Sequence, residues 1–467
     1  MTASNTPSNS TEQDKLDFKK ILPVFVIVLI DLLGLTIIIP LMPLYAASFG
    51  ADALTIGLLG AAYPVMQFIG APLLGRLSDQ YGRRPILVIS QLGTLVGFLV
   101  LGFSNTLWLL FLARIIDGIS GANIATAQAV ITDSTTEKNR TQGLGLLGAA
   151  FGIGFVVGPI IAFVSLALSG NNYRVPAFAA AIFSLLSILL TWFWLQETLP
   201  PEQRGQATEK AGFSSRTLFQ ELRHPAVGLL LALMFAQQIA FGGLEQLLAL
   251  FTLNRLGLNA SGNAIIFVFV GLIVVVVQGW LIGRWSRRFG DRRLVYIGLA
   301  VLAIGLVFTA LTPEQPLPTY SRERLEQELR SSGDFRTHEN PTTRNLAVEL
   351  PPDTNNGWLG ISWMLVAMVP AAIGCGMLQP SINSLITKRV NRDEVGGMLG
   401  ISAAFLSGAN AIAPLIGGVI FQALGASAPF LLGGMLMAVL WLIAVLALKP
   451  GREESQPAGL ARSAGGH

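Results

Sequence analysis

Long apolar runs alternate with short polar gaps along this chain. Runs near residues 21–45, 54–75, 86–103, 107–131, 143–168 and 175–196 are followed, after a polar stretch, by runs near 226–251, 262–283, 294–312, 358–386, 397–424 and 428–448. Each is at least about 18 residues long, enough for a helix to cross the hydrocarbon layer of a membrane. The pattern predicts an all-α membrane protein with twelve transmembrane helices, and an even count puts both ends of the chain on one side.

The gaps set the organisation. Residues 1–20 form a polar N-terminal tail and 449–467 a C-terminal one. The polar stretch 197–225, marked by Pro and Gly at its start, predicts a linker between two six-helix bundles, 21–196 and 226–448. The halves echo each other. "GRLSDQYGRRP" (75–85) returns 208 positions later as "GRWSRRFGDRR" (283–293), with Arg287 in the place of Asp79. "AVITD" (129–133) and "SLITK" (384–388) correspond at an offset of 255, as do Gly158-Pro159 and Ala413-Pro414. The polar insertion 313–357 accounts for nearly all of the difference between the offsets. Parallel six-helix repeats point to a transporter with its site between the halves. Within the insertion, "SRERLEQELRSS" (321–332) predicts one short amphipathic helix, with Leu325 and Leu329 on one face. Two uses are open for it: a solvated decoration, or a lid or docking site for an extracytoplasmic partner.

Composition narrows the class. The chain is 52% hydrophobic and 12% charged, against roughly 25% charged in soluble proteins, so its apolar side chains exceed what one water-soluble core can bury. Its net charge of +4 does not imply a nucleic-acid partner, because Lys and Arg concentrate in alternate gaps. One side receives Lys19, Lys20, Arg76, Arg83, Arg84, Lys138, Arg140, Arg292, Arg293, Lys388 and Arg389 among others. The other keeps Arg174, Arg255 and five Arg in the insertion. By the positive-inside rule both termini are expected in the cytoplasm. No short apolar leader precedes the first run, so no cleaved signal peptide is expected. A single cysteine, Cys375, and histidines only outside the runs (His224, His338, His467) offer neither a metal site nor a nucleophile with its base. No cofactor is called for. An intramembrane enzyme and a non-transporting receptor are the outlying alternatives.

Four ionisable residues fall inside runs, where each costs on the order of 2.5–3.5 kcal/mol on insertion scales and by default marks a functional pathway. Asp31 lies near the middle of the first run, with no basic residue in its own run or the second. A lone carboxylate there suits proton exchange. Arg114 and Asp117, three apart, share a helix face; they are either a self-neutralising staple or part of a proton route. Glu245 lies nearer the outer end of the seventh run, where it either serves function or snorkels to the interface. The amides Asn123, Gln128, Gln237, Gln379 and Asn383 are candidates to line a cavity.

"GRLSDQYGRRP" resembles the signature of the major facilitator superfamily between its second and third helices, with Gly75, Asp79, Gly82, Arg83 and Arg84 in place. The resemblance runs from about 21 to 448. It implies a loop that latches the cytoplasmic side, with Asp79 networked to Arg83 and Asp133. The second copy, carrying Arg287, is expected to keep the topological anchor without the same latch. "LARIIDGISGANIATAQAVITD" resembles the fourth helix of drug:proton antiporters, which implies a proton-coupling role for Arg114. "GLLGAAFGIGFVVGP" resembles their fifth-helix antiporter motif through Gly145, Gly154, Gly158 and Pro159, with Ala162 where a glycine often follows. The first run is similar to that of tetracycline exporters, with Asp31 on their intramembrane acid. The third run has no charge, the eighth no histidine and the ninth no acid, so the exporters' remaining proton-linked residues are missing and tetracycline itself is not the expected substrate. The resemblance implies proton-coupled efflux of a small apolar or amphiphilic compound by alternating access, in a bacterial inner membrane, by a monomer whose partners are substrate, protons and lipid. A lipid or amphiphile exporter using the outer insertion is the alternative, and a uniporter of a small nutrient a weaker one.

Overall fold

The computed structural model describes residues 18–121, 123–135, 140–204, 227–332, 348–390 and 395–448. Both tails, most of the expected linker, the middle of the insertion and all three histidines lie outside the described residues. Among the described residues there is no strand, and twelve helices are long and apolar enough to cross a membrane. The chain is an integral membrane protein. The spans are Phe18–Ile38, Ala53–Tyr81, Arg83–Gly102, Leu107–Asp133, Arg140–Leu168, Arg174–Phe193, Gly228–Leu256, Ala260–Phe289, Asp291–Ala310, Leu359–Arg389, Val395–Leu424 and Ala428–Ala447.

Where these helices depart from the apolar runs, local chemistry gives the reason. The first span stops at Ile38, just before Ile39, which a following proline biases away from helical backbone. The chain restarts as a short helix, Met42–Ser48, with Pro43 in its first turn and every residue buried. Spans 2 and 8 run past their apolar stretches to Tyr81 and Phe289. The two charged phrases are therefore not loops, as expected from sequence, but helix ends, with each connection reduced to one glycine. Gly82 (φ 106°) and Gly290 (φ 78°) make those turns in a backbone region that side chains disfavour. Span 4 is interrupted: Leu107–Ser120 ends at Gly121 and a second segment starts at Asn123. Span 8 contains a π-helical turn at Val277–Leu281, a feature frequent at functional sites.

Spans 1–6 pack largely among themselves, as do spans 7–12, and two seams join them: span 2 against span 11, and span 5 against span 8. We call the end where the first span starts and the last one finishes the terminal end, and the other the distal end. At the distal end the Ala53 amide donates to Gln422 Oε1 at 3.2 Å across the first seam, and Ser261 donates to Asn171 across the second. Backbone meets backbone along the first seam. A Cβ on Gly418 would sit 2.8 Å from the Ala53 carbonyl and 3.1 Å from the Gly57 Cα. The largest core cluster gathers the short helix, the distal part of span 7 (Leu247 to Leu256) and Leu325 and Leu329 of the insertion. Among the described residues, these contacts close the halves on each other at the distal end. The insertion is no solvated decoration: its helix forms at Arg322–Ser332 and both leucines are buried.

Candidate functional site

Spans 1–4 bring four of the sequence candidates together. Asn123, at the restart of span 4, donates from Nδ2 to Asp31 Oδ2 at 2.7 Å. Asp31 Oδ1 is buried and has no hydrogen-bond partner. One turn before the break, Arg114 donates to Asp117 Oδ2 at 3.0 Å, with both residues buried. The guanidinium also lies over the ring of Tyr63 from span 2, 4.5 Å from its centroid. Gln67, one turn further along span 2, donates to Tyr63 Oη at 3.2 Å and to the Gly121 carbonyl at 2.9 Å. That second bond fixes span 2 at the interruption of span 4. Asp31, Tyr63, Thr94, Phe98, Asp117 and Asn123 line one small cavity of about the size of a water molecule, into which the Thr94 hydroxyl also brings no hydrogen-bond partner of its own.

Span 4 carries three members of the cluster: Arg114 and Asp117 lie on Leu107–Ser120, and Asn123 lies at the start of Asn123–Asp133. Tyr63, Gln67 and Thr94 escape sequence reasoning, because a lone aromatic, amide or hydroxyl in an apolar run has no distinctive spacing. The one available signal is the four-residue separation of Tyr63 and Gln67, which puts them on one helix face.

The remaining candidates stay apart from this cluster. Glu245 lies on span 7, within electrostatic range of Cys375 on span 10, and forms no hydrogen bond or ion pair with the described residues. Gln237 is buried with an unpartnered Oε1, and Asn383 has a buried, unpartnered Oδ1. Gln379 is half-buried and Gln128 is exposed. Neighbouring Gln238 donates to Asn410 Oδ1 at 2.7 Å, tying span 7 to span 11.

At the terminal end, Arg83 is the hub of a network. Its guanidinium donates to Asp133 Oδ2 at 3.0 Å, to Ser78 Oγ at 2.8 Å and to Asp79. Glu197, beyond span 6, accepts from the Arg83 and Arg84 amides at 2.9 and 3.2 Å, satisfying the open start of span 3. Arg84 reaches Trp192, donating to its carbonyl and lying 5.5 Å from its ring centroid. Gly75 meets no neighbour that a Cβ would disturb.

The second copy was expected to be without the same latch, and a different network stands in its place. Asp291 accepts from Lys388 Nζ at 2.5 Å, from Ser384 Oγ at 2.5 Å and from Ser286. By the repeat offsets, Asp291 stands where Arg83 does, Lys388 where Asp133 does and Ser286 where Ser78 does. The network is present with its signs reversed. Arg287, at the Asp79 position, is exposed and makes no ion pair with the described residues.

The glycines of the fifth span pack on span 1. A Cβ at Gly158 would fall 2.6 Å from the Thr36 Cβ, whereas Gly154 has ordinary contacts with Leu32 and Thr36. Pro159 lies inside the same helix. Gly145 belongs to the part of that helix whose side-chain surroundings lie outside the described residues.

Comparison with known proteins adds family to geometry. The sequence profile of the Major Facilitator Superfamily matches residues 24–320 and 356–465. The tetracycline resistance protein of class B from Escherichia coli is 33% identical over 292 residues, covering 62% of this chain and 72% of that protein. The class C protein from Escherichia coli is 28% identical over 428 residues, covering 91% and 95%. Multidrug resistance protein 1 of Bacillus subtilis (strain 168) is 26% identical over 411 residues, covering 88% and 91%. Among solved structures, the human organic anion transporter MFSD10 aligns with a TM-score of 0.62 at 21% identity, covering 91% of this chain and 99% of that one. A POT family transporter aligns at 0.67 and 15% identity, covering 93% and 97%. At these identities the structural likeness concerns the fold alone.

Proposed function

The chain belongs to the Major Facilitator Superfamily and is a transporter rather than an enzyme; from that premise we propose that it exports small apolar or amphiphilic drug-like compounds in exchange for protons. The likeness to tetracycline and multidrug resistance proteins supports drug efflux. The observation that carries proton coupling is the Asp31 cluster: a buried carboxylate with one oxygen bonded to Asn123 and the other facing a water-sized cavity without a partner. That free oxygen is where a proton would be taken up. Arg114, held over Tyr63 and against Asp117, supplies the fixed positive charge that favours proton release.

The Lys and Arg bias supports a cytoplasmic terminal end in a bacterial inner membrane. The closed distal end then corresponds to the inward-facing half of an alternating-access cycle. Substrate would enter between the halves from the cytoplasm and meet spans 1, 4, 7 and 10. There Glu245 and the unmet amide oxygens of Gln237 and Asn383 would offer polar contacts to a bound compound. The Arg83 network would hold spans 2, 3 and 4 together while the halves rock.

The test is substrate-driven proton movement in proteoliposomes under an imposed pH gradient. The parent should release protons when substrate is added, and Asp31→Asn should abolish the signal while still binding substrate. Undiminished proton movement in Asp31→Asn would remove Asp31 from the mechanism. Transfer of an amphiphile to an outer partner through the insertion finds less support, because the apolar face of the insertion helix is already covered by the protein itself.

A further inference from the structure

The insertion between spans 9 and 10 is fastened to the second half at its base. Tyr320 packs on Gly257 and donates its hydroxyl to the Pro351 carbonyl at 2.8 Å. Arg255 pairs with Glu314 at 3.6 Å. The Gly357 amide donates to the Pro316 carbonyl at 2.7 Å, and Asn356 Nδ2 donates to the Tyr320 carbonyl at 3.2 Å. From this base the helix Arg322–Ser332 reaches over to the first half, where it packs on the short helix Met42–Ser48. Leu325 and Leu329 are 5% and 1% exposed.

The same helix carries Glu328, which is shared between the halves. It accepts from Asn171 Nδ2 at 3.2 Å and from the Tyr173 hydroxyl at 3.4 Å, both in the connection between spans 5 and 6. It also accepts from Asn259 Nδ2 at 3.1 Å, in the connection between spans 7 and 8. Any motion that parts the halves at the distal end carries Asn259 one way and Asn171 with Tyr173 the other.

We propose that the helix Arg322–Ser332 is a strap that holds the distal end shut, fastened to the first half by Glu328 and by its packing on the short helix Met42–Ser48. Because its base belongs to the second half, distal opening must release Glu328 from Asn171 and Tyr173 and part the strap helix, with its buried leucines, from the short helix. Hydrogen bonds to a carboxylate are among the stronger ones, so the strap sets how often the distal side opens. The proposal rests on the alternating-access reading above only for its consequence in transport; the fastening itself can be tested without substrate or gradient.

A reporter thiol at Ala53, a buried seam residue whose amide bonds to Gln422, is introduced as Ala53→Cys. Its rate of alkylation by a polar maleimide is followed in lipid nanodiscs, with background from native Cys375 subtracted using the parent. Glu328→Ala and, separately, Leu329→Ala should each raise the rate by roughly tenfold, the ratio that one lost charged hydrogen bond or buried apolar contact of ordinary strength produces. Glu328→Gln, which keeps an acceptor but not the charge, should fall between. The strap is overturned if neither alanine variant labels faster than the Ala53→Cys protein alone. Faster labelling together with absent export would uphold the strap and sink the transport reading instead.

Discussion

Asp31 and Asn123 are 92 positions apart in sequence and hydrogen-bonded in the structure, so their partnership is set by how spans 1 and 4 pack and not by any local motif. Sequence pattern singles out Asp31, Arg114 and Asp117, because a charge in an apolar run is conspicuous. It does not single out Tyr63, whose ring face holds the guanidinium. This contact makes a residue-scale prediction. Tyr63→Phe keeps the aromatic face and should retain most export activity, despite losing the hydroxyl that accepts from Gln67. Tyr63→Leu removes the face, forfeits about 0.5–2 kcal/mol of cation–π attraction, and should lower initial export rates by several-fold to about tenfold. Equal rates for the two variants would show that the ring only fills space. Gly158 permits a second. The close approach to Thr36 leaves no room for a side chain, so Gly158→Val should destabilise the protein by about 1–3 kcal/mol through overpacking. The readout is a lowered thermal unfolding midpoint in detergent, with the neighbouring Gly154→Ala, which has room, as the mild control.

At the scale of elements, twelve apolar runs gave twelve helices, because the length and apolarity needed to cross a membrane are written directly in composition. Helix ends were less legible. Apolarity reports contact with lipid, and spans 2 and 8 continue past it, carrying charged residues out of the membrane in regular helix. The reversed network was legible only in part. Sequence shows Arg287 replacing Asp79, and by that position alone the latch looks lost. The compensating changes, Asp291 for Arg83 and Lys388 for Asp133, become meaningful once these two positions are seen to meet. Asp291 is the buried member of its network and Lys388 the half-exposed one. Asp291→Asn should therefore impair export about as much as Asp79→Asn, whereas Arg287→Gln should be nearly neutral. Exchanging the pair, Asp291→Lys with Lys388→Asp, should recover part of the loss. Ser286 and Ser384 can accept as readily as they donate. In the first half Arg83 spans two carboxylates with one guanidinium fork, which the compact ammonium of lysine cannot do; Arg83→Lys should fail where Lys388→Arg is tolerated. Export rates at matched expression levels measure all of these.

For the whole molecule, the decisive feature is that the halves meet chiefly along two helix pairs, span 2 with span 11 and span 5 with span 8. The repeat in the sequence foretells two halves but not which end is closed, since both states of a rocking transporter use the same residues. Beneath the strap, what joins spans 2 and 11 at the distal end is backbone proximity. Gly57 and Gly418 face each other so closely that either would need a neighbour to move to accept a Cβ, and Gln422 adds one hydrogen bond to the Ala53 amide. A contact between bare backbones is held by van der Waals packing without interlocking side chains, which suits a seam that must part and re-form in every cycle. It also makes the seam a place where bulk can be added without touching the interior of either half. Gly418→Leu should wedge the seam and favour the distal-open state. Substrate applied at the terminal end should then bind more weakly and export should fall by an order of magnitude or more, while helical content stays unchanged by circular dichroism. The Ala53→Cys reporter should become readily alkylated in the same variant. Should Gly418→Leu export normally with that thiol still protected, spans 2 and 11 would have to part by sliding rather than by separation, and the rocking motion would need another hinge.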